Sequence, residues 1–155
     1  MPKFTEKSTV EAPLIALFRS LGWNTHQIGE NANPGDENLG RETPSEVVLT
    51  KYLEPALRKC NPDLPEEAIQ NALDELSRDR SAFTLVNANH QVYDLLKDGV
   101  QVTYKNQEGI QTTDRVHVID WNSSENNHFL IISQLTILGE MYTRRPDLIG
   151  FVNGI

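Results

Sequence analysis

The feature that most constrains this chain is a change of hydrophobic period between residues 80 and 100. Ahead of it, apolar residues recur three and four positions apart, the spacing of one helix face. Beyond it, Val100, Val102 and Tyr104 alternate with polar residues, as do Val116 and Val118, and Phe129 to Ile132 is continuously apolar. Alternation with a period of two belongs to half-buried strands, and a short apolar block to a buried one. Helices first and strands mostly second predict a mixed α/β (α+β) fold.

The helical part can be read segment by segment. Ser8-Thr9-Val10-Glu11 has capping-box spacing, with Leu14, Leu17, Phe18 and Leu21 as an apolar stripe and Gly22 as a stop. Pro13 fits only the first turn, so the regular helix is expected to begin near it. Residues 24–41 read as a loop opened by a short strand between Trp23 and Ile28. Thr43-Pro44-Ser45-Glu46 predicts a second helix start, with Val47, Leu49, Leu53, Ala56 and Leu57 facing inward and a kink or a division at Pro55. Pro65, Glu66 and Glu67 open a third helix carrying Ile69, Ala72, Leu73 and Leu76. Together residues 43–79 read as a helical hairpin whose charges form a solvated outer face. A short helix over 87–98 ends at Gly99. Lys105 to Gly109 suits a hairpin loop, 120–127 a turn, and 136–142 a connection to the last segment. The expected layout is one domain over 1–155, with 82–155 mostly strands.

The chain has 155 residues, 38% hydrophobic and 23% charged, enough for one domain with a core. Phe129 to Ile132 is too short to span a bilayer, and Met1 to Lys7 lacks the apolar core of a signal peptide, so a cytoplasmic location is expected. A single cysteine, Cys60, excludes an internal disulfide and a cysteine zinc cage. The net charge of −8 argues against unaided nucleic-acid binding, though not against a carboxylate metal site.

Several chemistries are absent. No glycine precedes a lysine, so there is no Walker A loop, and there is no HExxH. His26, His90, His117 and His128 are scattered and read as surface or strand residues. No local serine-nucleophile motif is present. What remains is a carboxylate site. Phosphodiester hydrolysis uses a hard cation to steady phosphate charge and activate water, and Mg²⁺ takes one or two carboxylates while keeping several waters. Asp147, between Pro146 and the apolar run Leu148 to Val152, suits that role, and equally suits an ordinary turn aspartate.

Longer runs carry more information. They are Asn61-Pro62-Asp63-Leu64-Pro65, Tyr93-Asp94-Leu95-Leu96-Lys97-Asp98-Gly99-Val100, Arg115-Val116-His117-Val118-Ile119-Asp120-Trp121 and Asn127-His128-Phe129-Leu130. Most specific are Ser133-Gln134-Leu135 and Arg144-Arg145-Pro146-Asp147-Leu148-Ile149-Gly150-Phe151-Val152-Asn153-Gly154. Through these the whole chain resembles the N-terminal region of the R (restriction and motor) subunit of type I restriction endonucleases.

The resemblance implies an incomplete PD-(D/E)XK nuclease-like sheet with flanking helices, in which Asp147 is the catalytic first acidic metal ligand. It makes Glu11 a second candidate metal ligand, or else the capping partner of Ser8. Arg144 and Arg145 become candidate DNA-phosphate contacts, or a solvated arginine pair. Gln134 is placed near the DNA, or is the polar end of the strand. The family's next strand carries Glu-x-Lys, yet no lysine here has an acidic residue two positions before it. The expectation is therefore Mg²⁺-dependent cleavage of foreign double-stranded DNA by the full-length parent, with this chain alone inactive. ATP-driven translocation is expected to belong to motor domains that this chain lacks. Expected partners are double-stranded DNA and the modification and specificity subunits, with no membrane. The alternative is a non-catalytic module docking on the methyltransferase core through residues 43–79.

Overall fold

The computed structural model describes residues 10–28, 39–139 and 141–155. Ser8 and residues 29–38 of the expected loop lie outside them. In chain order the elements are α1 (Ala12–Ser20), β1 (Asn24–Gln27), α2 (Thr50–Cys60), α3 (Glu66–Ser77), α4 (Leu85–Asp98), β2 (Val100–Lys105), β3 (Gln111–Val116), β4 (Phe129–Ser133), β5 (Ile137–Leu138), β6 (Thr143–Arg144) and β7 (Leu148–Val152). The mixed α/β expectation holds. The strands form a three-stranded sheet in the order β1-β4-β7, and two separate ribbons, β2-β3 and β5-β6. β1 runs parallel to β4, and β7 runs antiparallel to it with Ser133 opposite Leu148.

Two apolar clusters hold these layers. One joins Leu53 and Leu57 of α2 to Ala68, Ile69, Ala72 and Leu76 of α3 and to Val100, Val102 and Val116 of the β2-β3 ribbon. The other packs Leu49, Leu130, Ile132, Leu135 and Phe151 around the three-stranded sheet. Leu53 and Leu57 are both fully buried, each contributing about 2 kcal/mol by area removed from water. On the outer side Arg58 donates to Glu54 and Glu66. Those pairs are exposed and screened by water, so the apolar seam and not the ion pairs joins α2 to α3.

Several local expectations are corrected. Helix α2 begins at Thr50, not at Thr43. Residues 42–46 instead form a turn tied by its own side chains: Glu42 N donates to Glu46 Oε2 (3.0 Å), and the Thr43 and Ser45 hydroxyls pair at 2.8 Å. Val47 is consequently exposed. Pro55 lies inside α2 without dividing it. On α1 the buried residue is Ile15, whereas Leu14, Leu17 and Leu21 of the expected stripe are exposed. The inward face is set by Phe18, which meets Trp23 edge-on at 5.2 Å, while Trp23 packs on Phe129 of β4 at 5.0 Å. Strand β3 covers 111–116 and ends before the buried Val118. The 136–142 connection contains strand β5 and leads into β6.

The end of β7 is locked beneath α2. Leu49 N donates to Gly154 O at 2.8 Å, and Gly154 has φ +89°. A Cβ at Gly154 would lie 2.6 Å from Leu49 O and 2.8 Å from Leu53 N, both backbone atoms. Gly154→Ala is expected to lower unfolding stability by about 3 kcal/mol, because strain and overlap act together. Gly22, at φ +87°, where an added Cβ would meet no atom within 4 Å, is the control. Gly22→Ala should cost only the left-handed conformation, about 1 kcal/mol. Urea midpoints of the two variants would separate these effects.

Candidate functional site

Proline has no N–H to give a ladder, so β7 starts after Pro146, and Asp147 sits at the lip of the sheet. Opposite it, β4 ends at Ser133 and the chain turns at Gln134, whose φ is +60°. Few non-glycine residues adopt that conformation. Gln134 N donates to Asp147 O at 3.1 Å, closing the strand pair one step past its last register position. The Gln134 side chain then reaches across, and Nε2 donates to Asp147 Oδ1 at 3.1 Å.

The same Nε2 lies 3.5 Å from Glu11 Oε2. Glu11 is 9% exposed and makes no side-chain cap bond to its own helix. Pro13 falls in the first turn of α1, where its missing N–H costs nothing, so the helix can begin at Ala12. The Phe18–Trp23–Phe129 contacts then fix α1 on the sheet with Glu11 facing the β4–β7 end. Two carboxylates from opposite ends of the chain therefore converge on one amide nitrogen. Nothing in the local sequence marks this role for Gln134, since a left-handed glutamine has no composition signal.

The arginines divide. Arg145 Nε donates to Gln134 O at 3.3 Å, beside the site. Arg144 lies over the Tyr142 ring at 5.4 Å, on the β5-β6 ribbon. Both are exposed.

Oxygen donors of this kind suit a hard, hydrated cation, which needs only one or two carboxylates and completes its shell with water. Among the described residues no group of three or more His, Cys, Asp or Glu side chains converges, which excludes a zinc-type cage there. The donor set thus fits Mg²⁺ or Mn²⁺.

A concavity of about 290 Å³ lies along α2 between Lys51, Tyr52, Lys59 and His128. The His128 ring stacks on Tyr52 at 4.9 Å, and its Nε2 is 3.1 Å from Asn24 Nδ2. Burial lowers the His128 pKa, so the imidazole is neutral at pH 7. The unfolded chain then binds the extra proton more readily, and stability falls as pH drops below the ordinary histidine value. His128→Phe keeps the stack and should flatten the loss of thermal stability between pH 7 and 5, as read from melting temperatures.

Among the described residues no helix is long and apolar enough to cross a membrane. The family model described as type I restriction enzyme R protein N terminus matches residues 3–155. The type I restriction enzyme HindI endonuclease subunit of Haemophilus influenzae is 34% identical over 150 residues, 96% of this chain. A Methanocaldococcus jannaschii protein, provisionally named type I restriction enzyme MjaIXP endonuclease subunit, is 29% identical over 159 residues, 99% of this chain. The chain spans 14% of the length of each of these relatives.

Proposed function

The chain belongs to the family of type I restriction enzyme R protein N termini, and on that premise we propose that it carries one half of the R subunit's DNA-cleaving site. The observation that supports this reading is the convergence of Glu11 and Asp147 on Gln134 Nε2. In this reading Asp147 and Glu11 hold a Mg²⁺ ion in a PD-(D/E)XK-type arrangement. Bound Mg²⁺ would steady the charge on the phosphate oxygens and lower the pKa of the attacking water. Asp147, at the sheet lip, sets where the scissile phosphate must lie. Arg145, tied to the same turn, and Arg144 contact phosphates on the flanking DNA and fix its register.

The substrate is double-stranded DNA, delivered by an assembly with the modification and specificity subunits. ATP-driven translocation is assigned to motor segments outside these residues, since no Walker A loop is present. The chain by itself is proposed to be inactive, because the Glu-x-Lys element is not among its residues. Calorimetric titration with Mn²⁺ tests the core of this reading. Micromolar-to-millimolar binding that Asp147→Ala and Glu11→Ala each weaken at least tenfold is expected; binding indifferent to both substitutions would refute it. In a plasmid-nicking assay the isolated chain should show no cleavage that depends on Asp147.

A further inference from the structure

We propose that Gln134 is a positioning residue for the cation: it holds Glu11 and Asp147 converged without adding a third charge, and so sets the affinity of the site. The inference rests on the reading of those two carboxylates as metal ligands.

Three groups of Gln134 are tied to the Arg145–Asp147 segment or to Glu11. Its backbone N–H donates to Asp147 O, its backbone carbonyl accepts from Arg145 Nε, and its Nε2 serves both carboxylates. The left-handed backbone at φ +60° makes this possible, because it ends β4 and turns the side chain back over the β4–β7 lip. A non-glycine residue in that conformation sacrifices about 1 kcal/mol. Glycine or asparagine would sit there with less strain, but glycine has no side chain and asparagine is one methylene too short to duplicate the reach.

The chemistry of the amide suits the task. Two carboxylates brought this close repel each other, and a primary amide offers one N–H to each. A lysine would bridge them equally well, yet its charge would compete with the cation. A glutamate would add to the repulsion. The neutral amide keeps the pair together and leaves both negative charges for a divalent ion. Groups that orient metal ligands in this way commonly govern affinity about 10- to 100-fold.

The test uses the chain itself, with Mn²⁺ as the probe followed by electron paramagnetic resonance, and thermal melts in EDTA as the metal-free readout. Gln134→Gly relieves the left-handed backbone and deletes the amide. Its metal-free melting temperature should match or exceed that of the unsubstituted chain, while Mn²⁺ affinity falls about tenfold or more. A purely structural role would lower the melting temperature and leave affinity alone. Gln134→Glu should melt lower in EDTA and gain more from Mn²⁺ than the unsubstituted chain does. If Gln134→Gly does not fold, Gln134→Asn, which tolerates the backbone, replaces it with the same expected loss of affinity. Mn²⁺ binding by either variant within twofold of the unsubstituted chain overturns the proposal alone, provided Asp147→Ala weakens binding at least tenfold. Absence of any Asp147-dependent Mn²⁺ binding overturns the metal reading and this inference with it.

Discussion

Asp147→Ala in an R subunit carrying this segment is expected to reduce DNA cleavage at least about 10³-fold, equivalent to about 4 kcal/mol of transition-state stabilisation. The fold should scarcely notice. Asp147 is exposed, and its side chain accepts from the amide of Gln134 at the β4–β7 turn. Exposed substitutions of this kind cost under about 1 kcal/mol. A plasmid linearisation assay on the assembled enzyme, paired with a thermal melt of the chain, reads both quantities. Retained cleavage with an intact fold would show that Asp147 is a turn residue and nothing more.

The largest effect on stability is expected at Asn153. It is fully buried, and its side chain joins three segments. Oδ1 accepts from His128 N at 2.7 Å, and Nδ2 donates to Val118 O and to Asn127 Oδ1, both at 2.8 Å. Asn153→Leu keeps the volume but strands those partners away from water, at about 1–3 kcal/mol for each unsatisfied group. The backbone adds to this, since φ is +55° and asparagine tolerates that conformation better than leucine. A loss of about 4 kcal/mol or more is expected in urea unfolding, a large fraction of the total stability of a typical domain. A change below about 1 kcal/mol would mean that the pocket around Asn153 relaxes or admits water.

How far the fold was legible depends on how local each signal is. Pro65 with Glu66 and Glu67 does open α3, Gly99 does stop α4, and the hairpin loop expected from Lys105 does join β2 to β3, over 106–110. At Gly99 and Asn106 the residues also satisfy the backbone: Gly99 N donates to Leu95 O, and Asn106 Oδ1 accepts from Glu108 N and Ile110 N. Thr43-Pro44-Ser45-Glu46 carries equally good signals and forms a turn, because hydroxyls and carboxylates that cap helices serve turns just as well. On α1 the periodicity was real, yet the face that packs was chosen by Trp23 and Phe129, which lie outside the helix. The site was less legible still. Asp147 has no distinguishing local pattern and gained its meaning from the long run around it. Glu11 and Gln134 meet only because a parallel pairing brings β1 beside β4, which no spacing within either segment can express.

That parallel pairing has a kinetic consequence. Asn24 of β1 pairs with Leu130 of β4, and Glu11 meets Gln134 across a sequence separation of 123. Closing so long a loop is entropically slow and contributes only after the local helices and hairpins exist. The carboxylates are therefore expected to come together late in folding. A nascent or partly unfolded chain is expected to keep them apart, so the proposed cation site would form only once this pairing is made.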